Sequence, residues 1–137
     1  MSDKFIIYTD GGARGNPGPA GIGVIAYDED GREVVFTLSE YIGETTNNQA
    51  EYRAVVAAID KAKKIGAREI DFYLDSELVV KQLNREYKVK ESSLQPLFVK
   101  IYNAVLFFKK VTFTHIRREK NKEADRLVNE ALDRKLK

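Results

Sequence analysis

The sequence predicts an α/β fold, and three features carry that prediction. Two apolar stretches, residues 5–8 and 69–74, each run into an aspartate, Asp10 and Asp75. Between them lies an amphipathic helical pattern, with Tyr52, Val55, Val56, Ile59 and Ala62 at the i, i+3, i+4, i+7 spacing of one buried face. Upstream, Asp28-Glu29-Asp30-Gly31 carries a hairpin signal between two further strand-like stretches. Strand, hairpin and strand open the sheet antiparallel. The helix then allows a right-handed crossover that sets the second Asp-ended strand parallel to the first.

Taken in order, Phe5, Ile6, Ile7 and Tyr8 have the β-branched and aromatic character of a buried strand, and Gly11 and Gly12 are expected to end it in a sharp turn. Residues 11–21, rich in Gly and Pro, read as a loop that a large ligand can approach. This is neither a nucleotide-hydrolase phosphate loop nor a dinucleotide fingerprint, because no Gly-Lys-Ser/Thr and no helix follow it. Strands are expected over 22–27 and 33–41. A helix follows the polar cluster Thr45-Thr46-Asn47-Asn48-Gln49 and stops at Gly66, with two possible capping boxes, Thr46 with Gln49 or Asn48 with Glu51. Glu51 lies about 40° from Val55 around the helix, at the edge of the buried stripe. It can cap the helix or point along the core boundary towards the sheet.

After the strand over 69–76 come a helix to about residue 84, with Leu78, Val79 and Leu83 on its apolar side, and a basic link over 85–91. A third helix over 93–107 buries Leu94, Leu97, Phe98, Ile101, Val105 and Phe108, with Pro96 in its first turn. The last strand, 111–116, carries the sole histidine, His115. A charged loop over 117–122 leads into a helix over 121–134 with Ala124, Leu127, Val128 and Ala131 inward and Asp125 beside them.

Composition bounds the partners. A chain of 137 residues is most simply one domain, 1–137. No apolar run approaches the ~18 residues of a membrane span, so no membrane partner is expected. The first four residues lack a signal-peptide pattern, and the absence of cysteine removes thiolate metal sites, so a cytoplasmic protein is the expectation. With a net charge of +2, any basic surface must be local.

Asp10, Glu51, Asp75 and Asp125 form the candidate constellation. Each has a structural alternative: Asp10 can cap the glycine loop, Asp75 the next helix, and Glu51 and Asp125 can complement helix dipoles. If the four converge, like charges cannot all stay ionised without a counter-charge. Oxygen ligands without Cys favour Mg²⁺ or Mn²⁺, and two such ions roughly 4 Å apart can clamp the attacking and leaving oxygens of a phosphodiester.

The segments Tyr8-Thr9-Asp10-Gly11-Gly12, Gly15-Asn16-Pro17-Gly18-Pro19-Ala20-Gly21, Thr45-Thr46-Asn47-Asn48-Gln49-Ala50-Glu51 and Leu74-Asp75-Ser76, with His115 ten residues before Asp125, resemble type 1 ribonuclease H over nearly the whole chain. The resemblance implies a five-stranded mixed sheet flanked by helices: three antiparallel strands, then two parallel. It implies metal-dependent cleavage of the RNA strand of an RNA–DNA hybrid, leaving 5′-phosphate and 3′-hydroxyl ends. Asp10 would bridge two metal ions, Asp125 would hold the one that activates water, and Glu51 and Asp75 the one on the leaving-group side. His115 would assist proton handling or product release, and Glu51 would also accept from an RNA 2′-hydroxyl.

Among substrate contacts, Asn16, Asn47, Asn48 and Gln49 resemble minor-groove readers, and Thr46 the residue that seats a DNA-strand phosphate. Gly11, Gly12, Arg14 and Ser76 complete the expected substrate surface. Two departures stand out. Glu44 occupies a place where many relatives carry Arg, and the 85–91 link lacks the Trp-containing basic handle of bacterial relatives, retaining only Lys88 and Lys90. Nor does a hybrid-binding domain precede Asp10. Modest, salt-dependent affinity is therefore expected, resting on Arg14, Lys88, Lys90, Arg117, Arg118 and Lys120, in a monomer. The alternatives on the same fold are a non-catalytic nucleic-acid-binding module, against which four retained acids argue, and a nuclease for double-stranded RNA or DNA junctions.

Overall fold

The structure is a computed structural model that describes residues 3–136. Met1 and Ser2, within the stretch read above as lacking a signal peptide, lie outside the described residues. Strands β1 (Lys4–Ala13), β2 (Gly18–Tyr27), β3 (Val34–Thr45), β4 (Glu69–Leu74) and β5 (Lys110–His115) form one sheet in the order β3-β2-β1-β4-β5. β1–β2 and β2–β3 are antiparallel, while β1–β4 and β4–β5 are parallel. Helices α1 (Asn47–Lys64), α2 (Glu77–Leu83), α3 (Gln95–Val105) and α4 (Lys122–Leu136) surround it, with a 3₁₀ turn at Arg118–Lys120 before α4. The α/β class and the mixed five-stranded sheet are as the sequence predicts.

Strand alternation splits the sheet into two faces. Phe5, Ile7, Val24, Ile70, Phe72 and Leu74 face α1 and form the main core with Tyr52, Val55 and Ile59. The opposite face carries Tyr8, Asp10, Gly23, Ile25, Tyr73 and Asp75, and α4 packs on it across β1, β2 and β3.

The glycines of the first strand behave differently from the expectation. Gly11 and Gly12 do not turn the chain; β1 continues through them to Ala13, pairing with Ile22 and Gly21. The predicted 11–21 loop contracts to a turn over 14–17, and β2 starts at Gly18. Gly11 is needed for close approach instead. A Cβ there would overlap the Ala50 carbonyl and stand 2.6 Å from the Glu51 amide nitrogen. The first turn of α1 thus rests directly on the β1 backbone. Gly23 does the same for α4, where a Cβ would overlap the Ala124 carbonyl.

Other differences are local. Thr46 caps α1, accepting from Gln49 N at 3.2 Å, but the Gln49 side chain accepts from Thr45 Oγ1 at 2.6 Å rather than closing the box. Leu78 is exposed, and Val80 takes its place in the core. In α3 only Ile101 is fully buried; Leu97, Phe98 and Val105 pack at the core margin, and Leu94 and Phe108 flank the helix. No helix among the described residues is long and apolar enough to cross a membrane.

Candidate active site

The parallel pairing of β1 with β4 runs to Tyr8 and Tyr73, so Asp10, still within β1, and Asp75, just past the end of β4, lie side by side on the same face. Glu51 reaches them because α1 sits on Gly11. One carboxylate oxygen from each of Asp10, Glu51 and Asp75 lies within 4.8 Å of the other two. Asp125, one turn into α4, falls outside this trio but lines the same cavity of about 460 Å³, together with Gly11, Gly12, Arg14, Asn47 and Arg118.

Asp10 and Glu51 are 8% and 7% exposed, and their donors are few. Gly11 N donates to Asp10 Oδ1 at 2.9 Å and lies 3.4 Å from Glu51 Oε1, while buried Glu51 Oε2 has no partner among the described residues. No Lys or Arg nitrogen among the described residues forms an ion pair with any of the four acids; Arg14, at the cavity wall, turns to Asp133 at 2.7 Å. Burial pushes the Asp10 carboxyl up to about 7, Asp75 and Asp125 add to the rise, and Glu51 and the Gly11 amide oppose it. Glu51 is held well above the usual carboxylate range, first by burial and then by the charge of Asp10. The orphaned Glu51 oxygen and the cation-poor, all-oxygen donor set fit a hard divalent ion.

The other predicted residues take varied places. His115 lies beside Leu74 in the sheet, next to the cavity without lining it; its exposed ring places Nδ1 4.0 Å from Glu77 Oε2. Asn16 and Asn47 stitch the glycine turn to α1: Asn47 N donates to Asn16 Oδ1 at 3.0 Å, and Ala13 N donates to Asn47 Oδ1 at 2.8 Å. Their oxygens are thereby fixed, and neither Nδ2 has a protein partner among the described residues. Asn48 Nδ2 is 3.5 Å from Glu91 Oε1. Ser76 caps α2, accepting from Val79 N. Gly12 faces Val128 at ordinary contact distance, so its lack of a side chain is not sterically required as it is at Gly11. Lys88 and Lys90 are exposed on the α2–α3 link and line a separate groove with Tyr87, while Lys120 faces away from the acids.

Asn121 was not among the expected site residues. It is 1% exposed, and its Nδ2 donates to Thr9 O at 2.9 Å and Asp75 Oδ2 at 3.1 Å. One amide thus ties β1 beside Asp10, an acid after β4 and the start of α4. Its place in the sequence was legible only as the start of the last helix, and the long-range bonds had no local signal.

Solved structures share this fold. RNase H1 LC11, isolated from compost, superposes with a TM-score of 0.93 at 50% identity, over 98% of this chain and 99% of that one. The chain belongs to the type 1 ribonuclease H family. A profile described as reverse transcriptase-like matches residues 8–131. The N-terminal ribonuclease H domain of Rv2228c from Mycobacterium tuberculosis superposes at 0.92, with 42% identity over 95% of this chain and 99% of that one. Ribonuclease HI of Halobacterium salinarum is 40% identical over 92% of this chain and 63% of its own length. This chain spans only 36% of the full mycobacterial protein, described as bifunctional. LC11 has also been solved in complex with an RNA/DNA hybrid.

Proposed function

We infer that this ribonuclease H family member hydrolyses the RNA strand of RNA–DNA hybrids, leaving 5′-phosphate and 3′-hydroxyl ends. One observation carries the reading: three carboxylates from separate elements crowd within 4.8 Å of one another, with a buried oxygen of Glu51 unpartnered. A fold gains nothing from such crowding unless a cation from outside relieves it. Asp10, Glu51 and Asp75 would hold one divalent ion of the Mg²⁺ or Mn²⁺ type, and Asp10 with Asp125 a second. Bound ions would supply Lewis-acid activation of water and neutralise the leaving oxygen.

The chain's own residues do the rest. The free Nδ2 groups of Asn16 and Asn47 donate to base edges or sugar oxygens in the minor groove, with their orientation fixed by the turn they stitch. Thr46, Asn48, Gln49 and Ser76 extend that polar surface along the starts of α1 and α2. Glu51 also accepts from a 2′-hydroxyl, which selects RNA over DNA. His115 takes up or returns a proton at the rim and helps product leave. Arg14 and Arg118 meet phosphates at the cavity wall, and the protein acts on the duplex as a monomer in the cytoplasm. The LC11 complex supports the same substrate class here.

Labelled RNA–DNA hybrid, duplex RNA and duplex DNA of one sequence, incubated with Mg²⁺ and with Mn²⁺, test this directly. Cleavage confined to the RNA of the hybrid, with 5′-phosphate ends, is expected. Binding without cleavage under both metals would instead assign the protein to a non-catalytic module.

A further inference from the structure

We propose that the sheet face beside the acid cavity is a stacking site for an unpaired base of the RNA strand, formed by Tyr73 over Thr114. This inference rests on the hybrid-nuclease reading and adds a single-strand subsite to it. In the sheet register Tyr8 pairs with Tyr73, and Tyr73 with Thr114, so the three share one level of one face. The Tyr8 and Tyr73 rings stack with centroids 5.2 Å apart and 24° between planes. Tyr27 closes the other side, meeting Tyr8 edge-on at 5.8 Å.

An aromatic row across three strands therefore ends on the outer ring face of Tyr73. Its next neighbour, Thr114, is exposed and too small to cover that face. α4 shields this side of β1, β2 and β3 but does not pack across β4 and β5.

The occupant follows from chemistry and continuity. An upright aromatic face beside a hydroxyl suits a planar base with polar edges, and a base is free to stack there only when it has left the duplex. Asp75 lies two residues beyond Tyr73 on the same face, roughly 7 Å along the strand, so a nucleotide at the cavity has its neighbour within reach of the ring. The charges below the row are already internal: Lys4 Nζ lies 3.3 Å from Asp71, which also accepts from Thr112 Oγ1 at 2.8 Å. Exposed Lys110 and Arg117 stand near the two ends of β5 and can meet the flanking phosphates.

The test is binding of fluorescent hybrids in Ca²⁺, chosen to suppress cleavage, comparing a blunt duplex with duplexes that carry a short single-stranded RNA extension at either end. One extension is expected to tighten binding about five- to tenfold, the low end of what a base stacked on an aromatic ring contributes. An abasic extension should lose that gain, as should Tyr73→Leu, while Tyr73→Phe keeps it and blunt-hybrid binding stays unchanged in both variants. Equal affinity for blunt and extended hybrids, or a gain that survives in the abasic extension, overturns the stacking site. The abasic comparison uses the parent protein, so it decides even if Tyr73→Leu does not fold. Failure to bind blunt hybrid would count against the substrate reading instead. The stacking site is then judged with single-stranded RNA alone: Tyr73-dependent binding supports it, and no binding overturns it.

Discussion

The two ends of one sheet face treat carboxylates in opposite ways. At the start of β1 and β4, Asp71 is supplied with Lys4 at 3.3 Å and the Thr112 hydroxyl at 2.8 Å. Four residues past that level in β1 and β4, beyond the Tyr8–Tyr73 stack, Asp10 and Asp75 meet Glu51 with one shared amide, one Asn side chain and, among the described residues, no protein cation. The same two strands can pair an acid with a base, and at one end they do. Leaving charge uncompensated at the other end costs folding free energy and reserves the site for something the chain does not contain.

The largest break in this contrast is Asp10→Asn. Hybrid cleavage should fall more than about 10³-fold, as when a member of a catalytic set is removed, while hybrid binding persists. The same variant should melt higher than the parent in chelator, because it removes one of the crowded charges. A cleavage assay paired with thermal denaturation reads both, and a lower melting point would mean that the site is not electrostatically strained.

Gly11→Ala attacks the geometry instead of the charge. The added methyl group meets the Ala50 carbonyl and must lift α1 away from β1. Overpacking of this kind costs about 3 kcal/mol. A displacement of Glu51 by about 1 Å is expected to slow cleavage by roughly 10². Urea denaturation and steady-state kinetics measure the two. Gly12→Ala, at a position with ordinary contacts, is the matched control for stability.

Metal and pH sharpen the contrast further. The folded-state affinities of Asp10 and Glu51 for protons lie above those of the unfolded chain. Their contribution is thus fully present below the unfolded carboxylate range near pH 4 and is lost as pH rises towards about 7, where Asp10 ionises. Metal-free protein should therefore lose stability over that window, by an amount on the order of 4 kcal/mol. Mg²⁺ or Mn²⁺ at a hundredfold excess over its dissociation constant should restore about 2.7 kcal/mol near neutral pH. Asp10→Asn should flatten both responses. Melting curves from pH 4 to 8, with and without metal, decide the matter; a metal-free protein most stable at pH 8 would contradict the strained-acid account.

Asn121→Ala cuts the strap between the two strand ends. Losing the bonds to Thr9 O and Asp75 leaves a buried carbonyl unpaired, at about 1–3 kcal/mol. A loosened Asp75 should lower activity about 10- to 100-fold, the usual scale for groups that orient metal ligands. Raising the metal concentration should recover part of that loss, which a general folding defect would not permit.

These cases also separate what the sequence could reveal from what it could not. Asp10 and Asp75 were legible because strand periodicity and a helical crossover fix two parallel ends at one edge. The α1 face was legible from Tyr52, Val55 and Ile59. The role of Gly11 was not: a glycine after an apolar run reads locally as a turn, and only the distant first turn of α1 reveals that it is needed for contact. The full reach of β2 and β3 was hidden for the same reason, because ladder pairing of Ala20 and Gly21 with Ala13 and Gly12, and of Gly18, Pro19 and Ala20 with the end of β3, overrides the Gly and Pro punctuation. Asn121 and the Tyr73 row depend on contacts between segments far apart in the chain, and no spacing rule records those.

The smallest effect should come from the satisfied end of the face. Lys4→Met removes the cation from a half-exposed pair, in which Lys4 is 33% and Asp71 25% exposed. Such solvent-screened pairs contribute little, and less again in salt. Asp71 keeps the Thr112 hydroxyl, and no metal-binding group moves, so hybrid cleavage should match the parent. Unfolding at low and high ionic strength reads the difference, which should shrink as salt is added. A large loss of activity in Lys4→Met would mean that the charge balance of the paired end reaches the acid cluster through the Tyr8–Tyr73 stack, and that the two ends are not independent.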